Sequence, residues 1–232
     1  MKYAILAAGE GSRLAEEGVQ LPKPLVRLCG EPMIDRLIRV FTQCGASEID
    51  IIVNDLHAST LEHLSEVSEQ NPLVRFKVKS TPSSMHSFFE LMPMLGEGKF
   101  CLTTVDTIFR EEEFQEFISQ FEQSEADGMM AVTDFVDDEK PLYISTDAGL
   151  RITGFHDIGG GCQFISGGIY CLSDMAFPTL VRCIEAGKSR MRNFQRQLIE
   201  DGLRLVAYPF SKILDVDHAS DIPKAEAFLR GL

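Results

Sequence analysis

The 232-residue sequence contains no tryptophan and only four tyrosines. It has no apolar run near the ~20 residues that a membrane-spanning helix needs, and its first apolar stretch, YAILAA, is too short for a secretory signal. Basic residues are also scarce, because 22 Lys and Arg stand against 35 Asp and Glu and give a net charge of −13 at pH 7. Such a charge repels nucleic acid. We therefore expect a cytoplasmic protein whose partners include neither nucleic acid nor a membrane.

The six cysteines lack the C-x-x-C spacing that is typical of zinc sites and redox motifs. Most of them lie in apolar stretches, which predicts reduced residues in the core. The even count leaves a disulfide framework as the alternative. The cysteines stand at positions 29, 44, 101, 162, 171 and 183.

Apolar runs typical of buried strands alternate along the chain with amphipathic, helix-like segments. This alternation predicts one α/β domain over residues 1–232, with a Rossmann-like, mostly parallel sheet and helices on both of its faces. From 140 to 172, strand signals alternate with turn residues and predict a small antiparallel excursion that forms one wall of a cleft. The predicted strands are 2–7, 48–53, 74–79, 100–105, 128–135 and 203–210. The predicted helices are 32–44, 57–69, 84–95, 111–124, 173–186, 193–200 and 219–229.

Two glycines, a serine and an arginine follow the first strand in ILAAGEGSRL, and LPKPL comes shortly afterwards. The dinucleotide motif G-x-G-x-x-G fails at Leu14, and a Walker loop fails because a proline follows Lys23. What remains is an extended loop from Ala8 to Pro24 that carries Arg13 and Lys23 as cations and is suited to wrap a triphosphate. The alternative is a tight turn with both cations facing solvent.

Taken together, ILAAGEGSRL and LPKPLVRLCGEPMID resemble the signature of the sugar-nucleotide pyrophosphorylase and nucleotidyltransferase family. The resemblance implies a nucleotide-diphospho-sugar transferase type of sheet, with Arg13 on the phosphates of the nucleotide and Lys23 on the reacting phosphates. It also implies that the nucleotide lies against Ala7, Ala8, Gly9, Gly11 and Ser12.

Family architecture further implies a metal-binding aspartate at the end of the fourth strand, which is Asp106 in FCLTTVDTIF. A second acid is expected in ILDVDHASDIPKAEAF, where the resemblance favours Asp217 and leaves Asp215 as the runner-up. Magnesium suits this pair because it prefers hard oxygen ligands and retains several waters. The alternative role for Asp217 is to cap the helix predicted at 219–229.

Two further segments are candidates for substrate contacts. In STPSSMHSFF, one interpretation is that Ser83, Ser84 and His86 contact the base or ribose. The alternative is that Ser83 only caps the following helix and His86 lies on its surface. In FISGGIYCL, which resembles the family's Gly-x-Tyr strand, Gly167 and Gly168 would admit the acceptor, or would only form a β-bulge.

The sequence departs from the family where many members carry Glu-Lys-Pro, because the matching place holds His156 and Asp157. A DEKPL segment occurs earlier, at Asp138 to Leu142, so its Lys140 is not in register with the family lysine. A local basic island is the candidate source of another cation for the acceptor phosphate. The alternative is that the island is only a solvated helix face, for which such a pattern is also typical. The island consists of Lys188, Arg190, Arg192 and Arg196.

The implied reaction transfers an NMP group from an NTP to a sugar 1-phosphate, such as mannose 1-phosphate or glucose 1-phosphate, and releases pyrophosphate. Two alternatives remain open: a cytidylyltransferase acting on phosphocholine or a similar phosphomonoester, and a nucleotide-sensing module without turnover. The sequence leaves the nucleobase and the oligomeric state undetermined.

Overall fold

A computed structural model of the protein describes residues 1–136 and 140–231. The strands of the central sheet are β1 (Lys2–Ala7), β4 (Glu48–Val53), β5 (Val74–Val78), β6 (Lys99–Thr104), β8 (Gly128–Thr133), β9 (Tyr143–Thr146), β10 (Ile152–His156), β11 (Phe164–Ser173) and β12 (Leu205–Pro209). Short strands outside it are β2 (Arg27–Leu28), β3 (Glu31–Pro32), β7 (Thr107–Ile108) and β13 (Leu214–Asp215). The helices are α1 (Ser12–Glu16), α2 (Met33–Gln43), α3 (Ala58–Gln70), α4 (Ser84–Leu95), α5 (Glu111–Gln123), α6 (Phe177–Glu185), α7 (Met191–Glu200) and α8 (Asp221–Leu229).

The central sheet has the strand order β10, β9, β11, β6, β1, β4, β5, with β8 paired to β11 and β12 paired to β8. Strands β6, β1, β4 and β5 are parallel, as are β8 and β12. The α/β class, the mostly parallel sheet and the antiparallel excursion that the sequence predicts are confirmed. The excursion is also part of the main sheet, because the long, largely buried β11 pairs antiparallel with β6.

Two hydrophobic clusters cover the two faces of this sheet. Along β1, Tyr3, Ile5 and Ala7 belong to one cluster, whereas Ala4 and Leu6 belong to the other, as the period of two in a strand requires. Helices α2, α3, α5 and α8 contribute to the first cluster, and α4, α6 and α7 contribute to the second. Because both faces of the sheet are covered, strands β1, β4 and β8 are buried along almost their whole length, which is why their prediction from apolar runs succeeds.

The pairing of β1 with β6 brings two loops together at one edge of the sheet. Leu6 lies opposite Thr104, so the glycine-rich loop after β1 and Asp106 after β6 are neighbours. The small β7–β13 ribbon extends this edge, and the amide of Val216 donates to the carbonyl of Asp106 at 3.1 Å. The late acidic segment is thereby fixed beside the end of β6.

Several element boundaries differ from the sequence prediction. The helix predicted from 173 begins at Phe177, after a 3₁₀ turn at Asp174–Ala176. Helix α7 begins two residues before the predicted start at 193, and α8 begins two residues after the predicted start at 219. The two-residue strands were not predicted, because such short pairings carry no periodic signal.

All six cysteines are free thiols, and Cys101, Cys171 and Cys183 are buried as predicted. Cys29 is exposed, so its assignment to the core was wrong. It follows the short β2 strand in a left-handed turn with φ of 52°, where its side chain has no core to enter. Within residues 1–136 and 140–231, no helix is both long and apolar enough to cross a bilayer.

Candidate active site

The glycine-rich loop runs from the end of β1 into the short helix α1. Gly11 precedes α1 in the left-handed region, with φ of 64°. A Cβ atom at this position would lie 2.9 Å from the Cβ of Lys23, closer than real Cβ contacts allow. Glycine at position 11 therefore permits both the turn and the close approach of the Pro-Lys-Pro element.

Lys23 links the two acids that the family resemblance singles out. It begins a 3₁₀ turn, Lys23–Leu25, between two prolines that fix the local backbone. Its Nζ atom hydrogen-bonds to Asp106 Oδ2, and it lies 2.5 Å from Asp217 Oδ1. Three residues separated by up to 194 positions in the sequence thus meet at one point.

The ammonium and the two carboxylates stabilise one another's charged forms. Burial by itself would lower the pKa of Lys23, but the charges of Asp106 and Asp217 outweigh it and raise that pKa. Burial would likewise raise the pKa of Asp106, and the Lys23 charge and hydrogen bond reverse the effect and lower it. On the solvent side, Arg13 Nη1 lies 3.2 Å from Asp217 Oδ2. Lys23 and Asp106 are therefore both ionised at neutral pH.

The donor set at this point fits a hard divalent cation. Asp106 Oδ1 is buried and accepts no hydrogen bond from any described residue. Asp106 and Asp217 supply carboxylate oxygens, and magnesium needs only one or two carboxylates when substrate phosphates and waters complete its shell. In the described part of the chain, no group of three or more His, Cys, Asp or Glu side chains has the arrangement of a metal site made by protein alone. A metal here would thus depend on the substrate for much of its coordination.

A cavity of about 280 Å³ opens on one side of Lys23, and we call it the loop cavity. Its walls are the glycine-rich loop, the end of β6 and the segment before α4. Predicted residues that line it are Ala7, Ala8, Gly9, Lys23, Ser83, Ser84 and Asp106. Gly11 and Ser12 do not line it, because the chain has already turned into α1 at that point.

The serine segment lies at the loop cavity and also caps the following helix. Ser83 lines the loop cavity and also caps α4, since its Oγ accepts from the His86 amide at 3.4 Å and lies 2.9 Å from His86 Nδ1. His86 itself does not reach this cavity. Thr81 and Ser87 do, and their hydroxyls lie 2.6 Å apart. This pair is not evident from the sequence, because only the folded helix brings the two hydroxyls together.

A second cavity of about 460 Å³ opens on the other side of Asp217, and we call it the C-terminal cavity. Strands β11 and β13, the start of α7 and the residues before α8 form its walls. Residues that line it include Arg13, Lys140, Gly167, Arg192, Ile213 and Asp217. The charged cluster around Lys23 therefore stands between two cavities, each large enough for part of a substrate.

This arrangement agrees with a match to a known domain. Residues 3–200 match the family model described as "MobA-like NTP transferase domain". The chain belongs to this family.

A curated protein is also similar to part of this chain. A mannose-1-phosphate guanyltransferase from Hypocrea jecorina is 37% identical over 83 residues, which cover 35% of this chain and 23% of that enzyme. The chain thus spans about a quarter of the length of this curated relative.

Two solved structures share the fold with TM-scores of 0.86 and 0.79. The first is a putative glucose-1-phosphate thymidylyltransferase from Bacillus anthracis in complex with a sucrose, which is 18% identical and aligns over 100% of this chain and 96% of that chain. The second is the inositol-1-phosphate CTP transferase from T. maritima, which is 17% identical and aligns over 99% of this chain and 96% of that chain.

In this NTP transferase domain, one residue of the basic island lies at the C-terminal cavity. Arg192 lines that cavity, and it donates to Asp157 Oδ1 at 2.6 Å and to the carbonyl of Lys140 at 2.9 Å. Arg196 binds the other oxygen of Asp157 at 2.8 Å, whereas Lys188 turns to Gln197. Two cations, Arg192 and Lys140, therefore lie at the wall where the usual Glu-Lys-Pro lysine is missing.

One described residue of the DEKPL segment lies at the C-terminal cavity. Asp138 and Glu139 lie outside the described residues, and Lys140 lines the C-terminal cavity. Lys140 thus lies at this cavity although its position in the sequence differs from that of the family lysine.

The two candidate second acids have different surroundings. Asp215 lies in β13 opposite Thr107 and lines the C-terminal cavity. Asp217 bonds to Lys23, and it does not cap α8, which begins at Asp221. The tertiary contacts therefore favour Asp217 as the partner of Asp106.

The glycine pair in β11 forms a bulge. The pairing of β11 with β8 shifts register between Ser166 and Tyr170, and Gly168 has φ of 74°. A Cβ atom at Gly167 would lie 2.2 Å from Ile213 Cδ1. The space above Gly167 is filled by Ile213, so this glycine shapes the cavity wall through packing.

Proposed function

We propose that the chain is a magnesium-dependent nucleotidyltransferase that transfers an NMP group from an NTP to a sugar 1-phosphate and releases pyrophosphate. The meeting of Lys23, Asp106 and Asp217 between two cavities is the observation that carries this proposal. The relatives' names, which include a mannose-1-phosphate guanyltransferase and a glucose-1-phosphate thymidylyltransferase, agree with it. We assign the whole described chain to one such domain, working in the cytoplasm where NTPs are available.

We place the nucleotide in the loop cavity and the acceptor in the C-terminal cavity. The loop from Ala7 to Gly9 supports the nucleotide, and the hydroxyls of Ser83 and Ser84 face its base or ribose. Lys23 and Arg13 then lie beside the phosphates, at the boundary between the two cavities. Asp106 and Asp217 would hold magnesium, whose positive charge offsets the negative charge of the triphosphate.

In the reaction, an acceptor phosphate oxygen attacks the α-phosphorus in line. The new bond joins that oxygen to the α-phosphorus, the bond from the α-phosphorus to the bridging oxygen breaks, and pyrophosphate leaves with the electron pair. No general base is needed, because a phosphomonoester has a second pKa of about 6 and is already anionic at neutral pH. Lys23 and Arg13 contribute by positioning the phosphates and neutralising their charge.

The walls of the C-terminal cavity favour a sugar phosphate over phosphocholine. A quaternary ammonium group is usually bound by several aromatic faces. Of the described residues that line this cavity, Phe135 is the aromatic one, and Lys212 Nζ already lies 4.1 Å from its ring centroid. A cation therefore already occupies the aromatic face that a choline group would use, whereas Arg192 and Lys140 suit the phosphate of either acceptor.

The proposal is tested by measuring pyrophosphate release from each NTP, with magnesium and a panel of sugar 1-phosphates and phosphocholine. We expect release with at least one sugar 1-phosphate. Asp106→Asn and Lys23→Met should each lower kcat by about a hundredfold or more, since each removes charge from the site of reaction. Tight NTP binding without release across the panel would instead support a sensing module, and full activity of Asp106→Asn would contradict the proposed site.

A further inference from the structure

Glu17 joins the glycine-rich loop to the loop that carries Asp217. It follows α1, and its carboxylate accepts a hydrogen bond from His218 Nδ1 at 2.6 Å and another from the Ala219 amide at 2.6 Å. His218 and Ala219 come directly after Asp217. The two bonds therefore connect segments more than 200 positions apart in the chain.

The carboxylate of Asp217 has contacts that the proposed reaction must rearrange. Its Oδ1 lies 2.5 Å from Lys23 Nζ, and its Oδ2 lies 3.2 Å from Arg13 Nη1. In the proposed function, a bound triphosphate would attract Arg13 and Lys23, and Asp217 would serve as a ligand of the divalent cation. Those two ion pairs would then no longer hold the Asp217 loop against the glycine-rich loop.

The bonds of Glu17 do not involve the Asp217 carboxylate, so the exchange leaves them intact. Asp221 also steadies this loop, because its Oδ2 accepts from the amides of Asp217 and His218 at 3.3 and 2.9 Å. Asp221, however, belongs to the first turn of α8, on the same side of the site as Asp217. Glu17 spans the gap between the two sides.

We propose that Glu17 is a positioning residue that holds Asp217 beside the glycine-rich loop while Arg13 and Lys23 release the Asp217 carboxylate and bind the substrate phosphates. The inference rests on the proposed function. The bond from the Val216 amide to Asp106 holds the segment before Asp217, but the Asp217 side chain is 43% exposed. Without Glu17, the residues that follow Asp217 would therefore have to be ordered further at the moment of binding. That ordering costs entropy and weakens binding of the metal and polyphosphate together.

Magnesium pyrophosphate is a suitable probe, because it is independent of the nucleobase and of the acceptor. We expect Glu17→Ala to weaken its affinity, measured by calorimetry, by about tenfold, which corresponds to about 1.4 kcal/mol. The magnesium concentration that gives half-maximal pyrophosphate release should rise in parallel. The melting temperature should change little, since Glu17 lies at the surface.

Two further variants separate positioning from a general effect on charge or stability. Glu16→Ala removes the same charge from an exposed position in α1 and should behave like the unmodified chain. Glu17→Gln keeps an oxygen that accepts from the Ala219 amide, so we expect it to recover part of the affinity. Equal affinities for Glu17→Ala and Glu16→Ala would overturn the inference alone. If the unmodified chain neither binds magnesium pyrophosphate nor releases pyrophosphate, the proposed function falls, and the inference falls with it.

Discussion

At the scale of single residues, the site depends on a lysine that has two acidic partners. Two carboxylates brought this close repel each other unless a positive charge lies between them. Lys23 supplies that charge and is itself only 13% exposed, so its ammonium interacts strongly with both acids. Gly11 sets how close the backbone of the glycine-rich loop comes to this lysine.

Gly11→Ala should therefore lower activity as well as stability. The new methyl group would collide with Lys23 Cβ and displace the ammonium, so we expect a clear drop in kcat/KM. A suitable control is Gly45→Ala, since Gly45 also has a left-handed φ, of 72°, but has open space around it. Gly45→Ala should lose about 1 kcal/mol of unfolding free energy in denaturant titrations, because an alanine resists this backbone conformation. Gly11→Ala should lose more, because its methyl group also collides with Lys23. Equal activity of the two variants would argue against the Lys23 contact.

At the scale of elements, salt bridges connect helices that pack on the same face of the sheet. Arg39 of α2 bonds to Glu31 and to both oxygens of Glu111 at the start of α5, with distances of 2.8 to 3.0 Å. The hydrogen bonds from Arg39 lower the pKa of Glu111. Helix α5 follows β7 in the chain, so the Arg39–Glu111 contact lies close in sequence to the ribbon beside Asp106.

The Glu111 contact predicts a stability difference that depends on pH. A carboxyl whose pKa is lower in the folded state stabilises the fold above its unfolded pKa of about 4.3, and this contribution is lost as the pH falls through the folded value. Glu111→Gln should thus melt at a lower temperature than the unmodified chain near pH 7, and the difference should shrink below pH 4. The matched control is Glu112→Gln, which removes a charge from the same first turn of α5. A difference that persists unchanged in acid would contradict the assignment.

At the scale of the whole molecule, one sheet carries both halves of the site. The glycine-rich loop follows β1, Asp106 follows β6, and Asp217 follows the ribbon that extends the same edge. Lys23 already balances the two carboxylates, and the first hydrophobic cluster reaches Val105 and Val216 next to them. We therefore expect the fold to form without a metal.

Removal of metal should accordingly abolish activity and leave the fold intact. With EDTA, we expect no pyrophosphate release, an unchanged circular dichroism spectrum and a cooperative melting transition close to that of the untreated protein. Magnesium together with pyrophosphate should raise the melting temperature, since a ligand that binds only the folded state stabilises it. Unfolding by EDTA would show that the metal has a structural role.

Local sequence was sufficient for much of the fold. The strands of the parallel core and the helices between them follow from buried apolar runs and helical periodicity, which are properties of neighbouring residues. The pairing of β11 with β6 was not predictable, because an antiparallel strand can join either edge of a sheet at no cost to its local pattern. The exposure of Cys29 could not be predicted from the sequence either, because it depends on a turn that no other segment of the described chain covers.

The sequence by itself determined the glycine-rich loop, the lysine between prolines and the acid after the fourth predicted strand, because each is written in a few consecutive residues. Only the tertiary structure decided that Asp217 rather than Asp215 meets Lys23, that Arg192 and Lys140 share a cavity wall, and that Glu17 reaches Ala219. These contacts join segments far apart in the chain, and their distances are set by the packing of the sheet and helices between them.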